Sequence, residues 1–333
     1  MQECFYKRIS IREYRETDLK DLISANYPIE NSPELRSSYK TLKSKILDAL
    51  QMSETRRLVL YHKKHKKCIG IVTLRKVNKR LWGIWDVYIV PSFRGHGLSI
   101  HLYRAAFSYL KQRGVKKAFG SVDINNIPSR KTIERIWDGY LPQKYYKFNA
   151  HIFLFIRKIP LRQITIRDAN PKDKTSLFQI YSQCVSKKWR DFLEIGESNF
   201  LGFQRILPGP PFHTGILKFM SLKRVLIAEN LSGQIIGYAV TKRNIAPIII
   251  NPASASAGLY LFLSPDLFPK DSIAILSGLA GFLHHKGFYK FEMFSINRNE
   301  KLLNEISLSL ENYGLKTSKF LVCTKNLAYE QEF

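Results

Sequence analysis

The sequence predicts an α/β protein built from two similar halves. One observation is a run of β-branched and aromatic residues that ends at Pro91 and is followed, after a glycine-containing loop, by apolar residues at helical spacing. A second observation is that this order of elements begins again after about residue 161. A third is length, because 333 residues with 45% hydrophobic content suffice for two domains with cores of their own.

The chain begins with a predicted strand at residues 9–12, followed by a helix that starts near the acidic pair Glu16 and Asp18. Pro33 is expected to start a second helix that continues to Leu50. Strands at residues 58–61 and 68–74 then form a hairpin around a basic turn. That turn, residues 62–67, is interpreted either as a solvated hairpin tip or as a contact for nucleic acid or membrane phosphates.

Residues 85–114 carry the most informative motif. The strand that ends at Pro91 leads into the loop Arg94-Gly95-His96-Gly97, and a helix follows up to Gly114. Glycines permit a sharp turn and a close approach to a ligand, while the helix start presents unpaired N–H groups and the positive end of the helix dipole. We therefore expect an anion site, with pyrophosphate as its ligand. The loop is neither a GxGxxG fingerprint nor a P-loop.

Further elements complete the first half. Residues 117–124 are predicted to be a strand, and a short helix with Pro128 near its start is expected to reach Trp137. Residues 145–156 alternate between apolar and polar side chains, which predicts one or two strands at the end of this half.

The second half repeats the first. Residues 164–168 match residues 9–13, residues 259–265 match the strand that ends at Pro91, and residues 273–287 match the helix that ends at Gly114. We predict a duplicated domain with its join near residues 158–161. The copies differ at the anion loop, where the second has Phe268-Pro269-Lys270-Asp271. Pro269 lacks an N–H and Asp271 repels phosphate, so the second copy is expected to have lost the anion site.

The motif in the first copy resembles the acyl-CoA loop of the GNAT (GCN5-related) N-acetyltransferases, Arg/Gln-x-x-Gly-x-Gly/Ala after a strand that ends in Val-Pro. Arg94 and Gly97 fit this pattern, and Ser99 stands where Gly or Ala is usual. The resemblance implies two tandem GNAT-like domains, each a mixed, mostly antiparallel sheet flanked by helices. We expect residues 1–158 to form the acyl-CoA-binding catalytic domain and residues 162–333 a degenerate copy.

The resemblance also implies the co-substrate and its contacts. Acetyl-CoA or another acyl-CoA would lie between two splayed parallel strands, and no metal is expected. The pantetheine would pair with the backbone of one strand and the pyrophosphate with the loop, while His96, an unconstrained loop position, is expected to face solvent. The implied cofactor-binding residues are Tyr88, Ile89, Val90, Arg94, Gly95, His96, Gly97, Leu98, Ser99, Asn126 and Arg130.

Direct attack of an amine on the thioester requires a base, oxyanion donors and an acid. Asp86 is the candidate base, although a strand carboxylate paired with a neighbouring cation is the alternative. The backbone N–H of Val90 is expected to polarise the thioester carbonyl. Many GNAT enzymes place the acid, a tyrosine, where this chain has Ile133. The acid would then have to be Tyr145, Tyr146, Tyr140 or a water molecule.

We therefore predict an N-acyltransferase, most simply an N-acetyltransferase, that acts on a primary amine of a small molecule, peptide or protein. A non-catalytic acyl-CoA-binding scaffold and a nucleic-acid-associated acyltransferase are the alternatives. The net charge of +26 is concentrated in residues 1–160, which hold 32 Lys and Arg against 13 Asp and Glu, and it is compatible with a polyanion partner. Four scattered cysteines, and neither a signal peptide nor a membrane-spanning run, predict a cytoplasmic protein without a membrane partner.

Overall fold

The computed structural model describes residues 8–15, 17–25, 55–151, 164–200, 223–243, 256–285, 290–311 and 316–328. The helix predicted from Pro33 to Leu50 and the join predicted at residues 158–161 lie outside these residues. None of the helices among the described residues combines the length and the apolar composition that a membrane-spanning helix requires.

The N-terminal half contains the predicted strand–loop–helix unit and the hairpin before it. Its elements are β1 (Ile9–Glu13), α1 (Asp18–Ser24), β2 (Thr55–His62), β3 (Lys67–Lys76), β4 (Leu81–Ile89), α2 (Leu98–Gln112), β5 (Lys117–Asp123), α3 (Ile127–Ile136) and β6 (Tyr140–His151). A 3-10 turn, Pro91–Phe93, connects β4 to the glycine loop.

The C-terminal half repeats this order, with two helices described after its first strand. Its elements are β7 (Thr165–Asp168), α4 (Lys174–Cys184), α5 (Lys187–Leu193), β8 (Lys223–Glu229), β9 (Ile235–Arg243), β10 (Ser256–Leu263), α6 (Pro269–His285), β11 (Lys290–Ile296), α7 (Glu300–Glu311) and β12 (Lys316–Asn326).

The twelve described strands form one sheet in the order β1-β2-β3-β4-β5-β12-β6-β11-β10-β9-β8-β7. Among the described strands only β4–β5 and β10–β11 are parallel pairs, so the predicted mixed, mostly antiparallel sheet with flanking helices is confirmed. The order also shows an exchange of strands between the halves. The last strand of the C-terminal half, β12, pairs with β5, and the last strand of the N-terminal half, β6, pairs with β11.

A repeated ion pair supports the internal duplication. Arg12 binds Asp18 through two hydrogen bonds of 2.8 and 2.6 Å, which tie β1 to the start of α1. Arg167 binds Asp173 at 2.9 and 3.0 Å in the corresponding place after β7. In both halves the aspartate is six residues after the arginine, and its side chain is almost fully buried.

The sheet separates the core into layers. On one face, α2 and α3 cover the N-terminal half, and α6 and α7 cover the C-terminal half, as two separate apolar clusters. On the opposite face, α4 and α5 pack on a cluster that extends from Phe262 in β10 to Phe119 in β5 and Leu81 in β4. This second face therefore joins the two halves by burial of apolar surface.

Candidate active site

The two parallel strands β4 and β5 separate early. They pair only from Leu81 to Gly83 on β4 and from Lys117 to Phe119 on β5. Beyond that point a cavity of about 780 Å³ opens between the strands and the starts of α2 and α3. It is lined by Ile84, Trp85, Asp86, Val87, Tyr88, Ile89, Phe93, Arg94, Gly95, Gly97, Leu98, Ser99, Ile100, Tyr103, Ser121, Val122, Asp123, Asn126, Pro128, Ser129, Lys131, Thr132, Ile133, Arg135 and Phe320.

Asp86 lies at a bulge in β4. The pairing with β3 shifts register between Ile71 and Thr73, which leaves an extra residue on β4. Asp86 adopts a φ of 52°, in the left-handed region that aspartate tolerates better than most residues. The bulge places Asp86 in the cavity lining, and its carboxylate lies 3.7 Å from the Arg75 guanidinium. Asp86 is thus both a cavity residue and a member of an ion pair.

The glycine loop forms part of the cavity lining. Gly95 and Gly97 have φ values of 84° and 70°, which glycine adopts without steric cost. Gly97 is the N-cap of α2, and the first described backbone bond into that helix is from the Ile100 N–H to the Gly97 carbonyl. The N–H groups of Leu98 and Ser99 therefore precede the intrahelical bonds and are oriented as an anion site requires.

Arg94 is positioned by the strand before it. Its Nε donates to the Ile89 carbonyl at 2.9 Å, and its guanidinium lies 5.5 Å from the centre of the Tyr88 ring. These contacts hold a positive charge in the cavity lining. His96 is exposed and, unlike its neighbours in the loop, does not line the cavity.

The start of α3 forms the facing wall. Asn126 caps this helix by accepting from the Ser129 N–H at 3.2 Å, and it lines the cavity. Arg130 does not line the cavity and instead donates to the Ile124 carbonyl at 3.2 Å. Lys131 and Arg135 are the cations of α3 that do line it, and sequence reasoning had not singled out Arg135.

The expected role of the Val90 N–H is wrong. That group donates to the Ile69 carbonyl of β3 at 2.9 Å, so it points away from the cavity, and Val90 is absent from the lining. Because successive N–H groups of a strand alternate in direction, the N–H of Ile89 points toward the space between β4 and β5. The N–H and the C=O of one strand residue point to the same side of the strand. The bond from Arg94 to the Ile89 carbonyl therefore agrees with this assignment.

The two tyrosines proposed as acids lie on opposite faces of β6, and neither lines the cavity. Tyr146 is buried in the C-terminal half and donates its hydroxyl to Asn304 at 2.8 Å; burial raises its pKa to about 12. Tyr145 is buried against Phe320, with ring centres 5.0 Å apart, and burial raises its pKa above its usual range.

Two other tyrosines do line the cavity. Tyr88 donates its hydroxyl to the Ala25 carbonyl at 2.7 Å, which ties β4 to the end of α1. Tyr103, on the second turn of α2, packs edge-on against Trp137, and burial raises its pKa above its usual range. Periodicity alone would assign Tyr103 to the helix core, so the sequence offered no signal for it. Tyr140 bonds the Arg130 carbonyl instead.

Comparison with known proteins finds a family match within the N-terminal half. Residues 17–137 match the sequence model of the Acetyltransferase (GNAT) family, and the match includes the splayed strands, the glycine loop and both cavity-lining helices. Over these residues the chain is similar to the GNAT family. No curated protein sequence matches it.

Two solved structures share the fold over nearly the whole chain. A GCN5-related N-acetyltransferase from Sphaerobacter thermophilus is 12% identical, with a TM-score of 0.53 and coverage of 98% of each chain. A tandem GNAT protein from the clavulanic acid biosynthesis pathway is 9% identical, with a TM-score of 0.50 and coverage of 97% of this chain and 100% of the other. The tandem arrangement of two GNAT-like halves therefore has precedent at the level of fold.

The second GNAT-like half differs at the corresponding place. Its parallel strands stay paired for longer, from Ser256 to Leu261 on β10 and from Lys290 to Ser295 on β11. Ser295 Oγ donates to the Leu261 carbonyl at 3.3 Å, and Asn297 Nδ2 donates to the Leu263 carbonyl at 2.9 Å. These side chains close the end of the strand pair, where the N-terminal half opens its cavity.

Proposed function

We propose that this protein is an acyl-CoA-dependent N-acyltransferase whose single acyl-CoA site is the cavity of the N-terminal half. The observation that carries the proposal is the set of groups that line that cavity. Cations and the first N–H groups of α2 lie in its lining together with a carboxylate on a bulged strand. These groups suit a phosphate-bearing co-substrate whose reactive end must meet an amine. The family match supports acetyl transfer in general.

The pyrophosphate would bind the N–H groups of Gly97, Leu98 and Ser99. Arg94 would balance its charge from the β4 side and Lys131 from the α3 side. Asn126 would act by fixing the start of α3. The pantetheine amides would pair with the edge of β4 that faces β5 beyond Gly83, where the two strands no longer pair, as a strand added to a sheet does. The expected contacts of Val90, His96 and Arg130 with the cofactor are not retained.

In the reaction the amine nitrogen attacks the thioester carbonyl carbon, a C–N bond forms and the C–S bond breaks. Asp86 accepts the proton that the amine loses, directly or through one water. The N–H of Ile89 stabilises the developing oxyanion. The departing thiolate takes a proton from the Tyr103 hydroxyl, which lines the cavity, or from water. Tyr145 and Tyr146 are not retained as acids because neither lines the cavity.

The C-terminal half is proposed to bind no acyl-CoA. Its helix α6 begins at Pro269 without a glycine loop, and the space between β10 and β11 is closed by Ser295 and Asn297. We propose that it acts through the sheet that it shares with the catalytic half.

A polyanion partner is supported by a second cavity of about 370 Å³ at the opposite end of β4, beside the last turn of α2. Its lining contains five cations and no acidic residue: Lys76, Lys79, Arg80, Arg113 and Lys116. Such a concentration of positive charge attracts phosphate groups, and an anion bound there would relieve the mutual repulsion. We propose this site, rather than the hairpin tip at residues 62–67, as the contact for nucleic-acid phosphates.

Isothermal titration of acetyl-CoA into the purified protein tests the main proposal. We expect micromolar binding at one site per chain, lost in the double variant Arg94→Glu, Gly97→Asp. The double variant Lys270→Glu, Asp271→Asn, at the corresponding loop of the C-terminal half, is the matched control and should bind normally. Two sites per chain would refute the proposed role of the C-terminal half. Absence of binding by the unmodified protein would refute the enzyme proposal.

A further inference from the structure

The C-terminal half contributes directly to the cavity of the N-terminal half. Its last strand, β12, lies beside β5, with Phe320 opposite Asp123. Among the described residues, Phe320 is the one from the C-terminal half that lines the cavity. On its other side Phe320 lies opposite Tyr145 of β6, and the two rings stack with an interplanar angle of 9°. The exchange of strands therefore places an aromatic ring of one half in the candidate active site of the other.

Phe320 lies on the face of the sheet opposite to the acyl-CoA loop. The loop helix α2 and α3 pack on the face that contains Ile84 and Val122. Trp85, Phe320 and Tyr145 belong to the cluster on the other face, where α4 and α5 of the C-terminal half pack. A thioester that passed between β4 and β5 from the loop side would therefore meet its amine on the face that contains Trp85 and Phe320.

The rings on this face are held in place by contacts with the C-terminal half. Trp85 packs edge-on against Phe119 at 5.8 Å between ring centres, and Phe119 packs in turn against Trp189 of α5 at 5.9 Å. The Nζ of Lys117, near the start of β5, also donates to the Phe192 carbonyl at 2.9 Å. Since the rings are already ordered, a ligand that packs on them would not have to order them first.

We propose that the acceptor site is shared between the two halves and selects a primary amine carried on an aromatic or other flat apolar group. Trp85 and Phe320 would contact the apolar group. The carboxylates of Asp86 and Asp123, both in the cavity lining, would attract the ammonium group. Aromatic faces stabilise a nearby cation as well as an apolar ring, so both parts of such an amine are matched. The inference rests on the proposed acyl-transfer function and names its acceptor class.

The test compares two amines that differ only in the apolar group. Acetyl transfer from acetyl-CoA to 2-phenylethylamine and to ethylamine is measured with the unmodified protein, with Phe320→Ala and with Phe320→Leu. Phe178→Ala is the matched control, because Phe178 packs on the same apolar cluster from α4 but does not line the cavity. Binding of acetyl-CoA by titration calorimetry and the melting temperature are recorded for each variant.

We expect a kcat/KM for 2-phenylethylamine at least 10-fold above that for ethylamine. Phe320→Ala should raise the KM for 2-phenylethylamine about 10-fold, with the Kd of acetyl-CoA unchanged and ethylamine little affected. Phe320→Leu should restore part of the loss, and Phe178→Ala should leave the selectivity unchanged. Equal effects of Phe320→Ala on both amines, or no preference in the unmodified protein, would overturn the inference.

Binding provides a readout that does not depend on turnover. The protein saturated with CoA is titrated with 2-phenylethylamine, and we expect binding that Phe320→Ala weakens. If acetyl-CoA binds but 2-phenylethylamine does not, the acceptor inference is wrong while the acyl-CoA site stands. If acetyl-CoA itself does not bind, the proposed function fails first, so the two failures are distinguishable.

Discussion

The guanidinium of Arg75 lies 3.7 Å from the carboxylate of Asp86, between strands whose register shifts where Asp86 occurs. Both side chains are mostly buried, with 24% of Arg75 and 18% of Asp86 exposed. The bulge gives Asp86 a positive φ and places it among the cavity residues, while Arg75 balances its charge. A carboxylate held in this way lies in the cavity lining without being isolated in an apolar strand.

Asp86→Asn should lower kcat by about 100-fold or more, because the amide cannot accept the proton that the amine loses. The Kd of acetyl-CoA should stay within about twofold, since Asp86 is not among the proposed phosphate contacts. Turnover and calorimetric titration measured on the same preparations separate an enzyme from a binding scaffold. Unchanged turnover would mean that Asp86 serves only its ion pair with Arg75.

Tyr103→Phe should lower kcat by about 100-fold if Tyr103 protonates the thiolate. Burial raises the pKa of Tyr103, so the hydroxyl keeps its proton to a higher pH than a free tyrosine, and the loss should be uniform from pH 6 to 9. Tyr88→Phe is the matched control in the same cavity lining. Full activity of Tyr103→Phe would reduce Tyr103 to a packing residue.

Gly95→Ala should weaken acetyl-CoA binding about 10-fold or more, because φ 84° disfavours a side chain and the strain would distort the loop. Gly114→Ala is an unusually close control. Gly114 has φ 72°, and, as at Gly95, an added Cβ would meet nothing within 4 Å. Both variants should lose about 1 kcal/mol of stability. Equal effects on acetyl-CoA affinity would contradict the proposed role of the loop.

Asp173→Asn should lower the free energy of unfolding by about 2 kcal/mol at pH 7 by removing a charged hydrogen-bond acceptor. Hydrogen bonds from Arg167 lower the pKa of Asp173 below its ordinary value of 3.8, so the folded state favours the ionised form. This contribution is present above about pH 4 and is lost as the pH falls below that value. Melting temperatures from pH 6 to 3 should therefore converge for the two proteins, and a constant difference would contradict the linkage.

Replacing Lys79, Arg80 and Lys116 by glutamine should reduce the salt dependence of binding to single-stranded RNA, with the log–log slope falling by about 2. The matched variant replaces Lys63, Lys64 and Lys66 at the hairpin tip with the same change of charge. If the cationic cavity is the contact, the hairpin variant should bind RNA as the unmodified protein does. The reverse result would favour the hairpin tip, and no binding by any form would exclude this partner.

The sequence by itself predicted the resemblance to the GNAT family, the repeated order of elements and the glycine loop before α2. Each of these depends on residues close together in the chain, such as Arg94 and Gly97, whose backbone requirements are local. The domain boundaries at residues 158 and 162 and the role of Asp86 remain predictions. The pattern of neighbouring residues was also enough to place Asp86 on strand β4. The bulge that orients Asp86, however, depends on the pairing of β4 with β3.

Only the tertiary structure decided which residues from distant parts of the chain meet. The assignment of the Val90 N–H failed because strand pairing, which depends on β3, fixes the direction of each N–H group. Tyr145 and Tyr146 are neighbours in sequence yet lie in different cores, since consecutive strand residues face opposite sides. Phe320 joined the cavity because β12 crosses into the other half to pair with β5. That long-range pairing is chosen by the burial of the whole sheet, and no pattern within β12 encodes it.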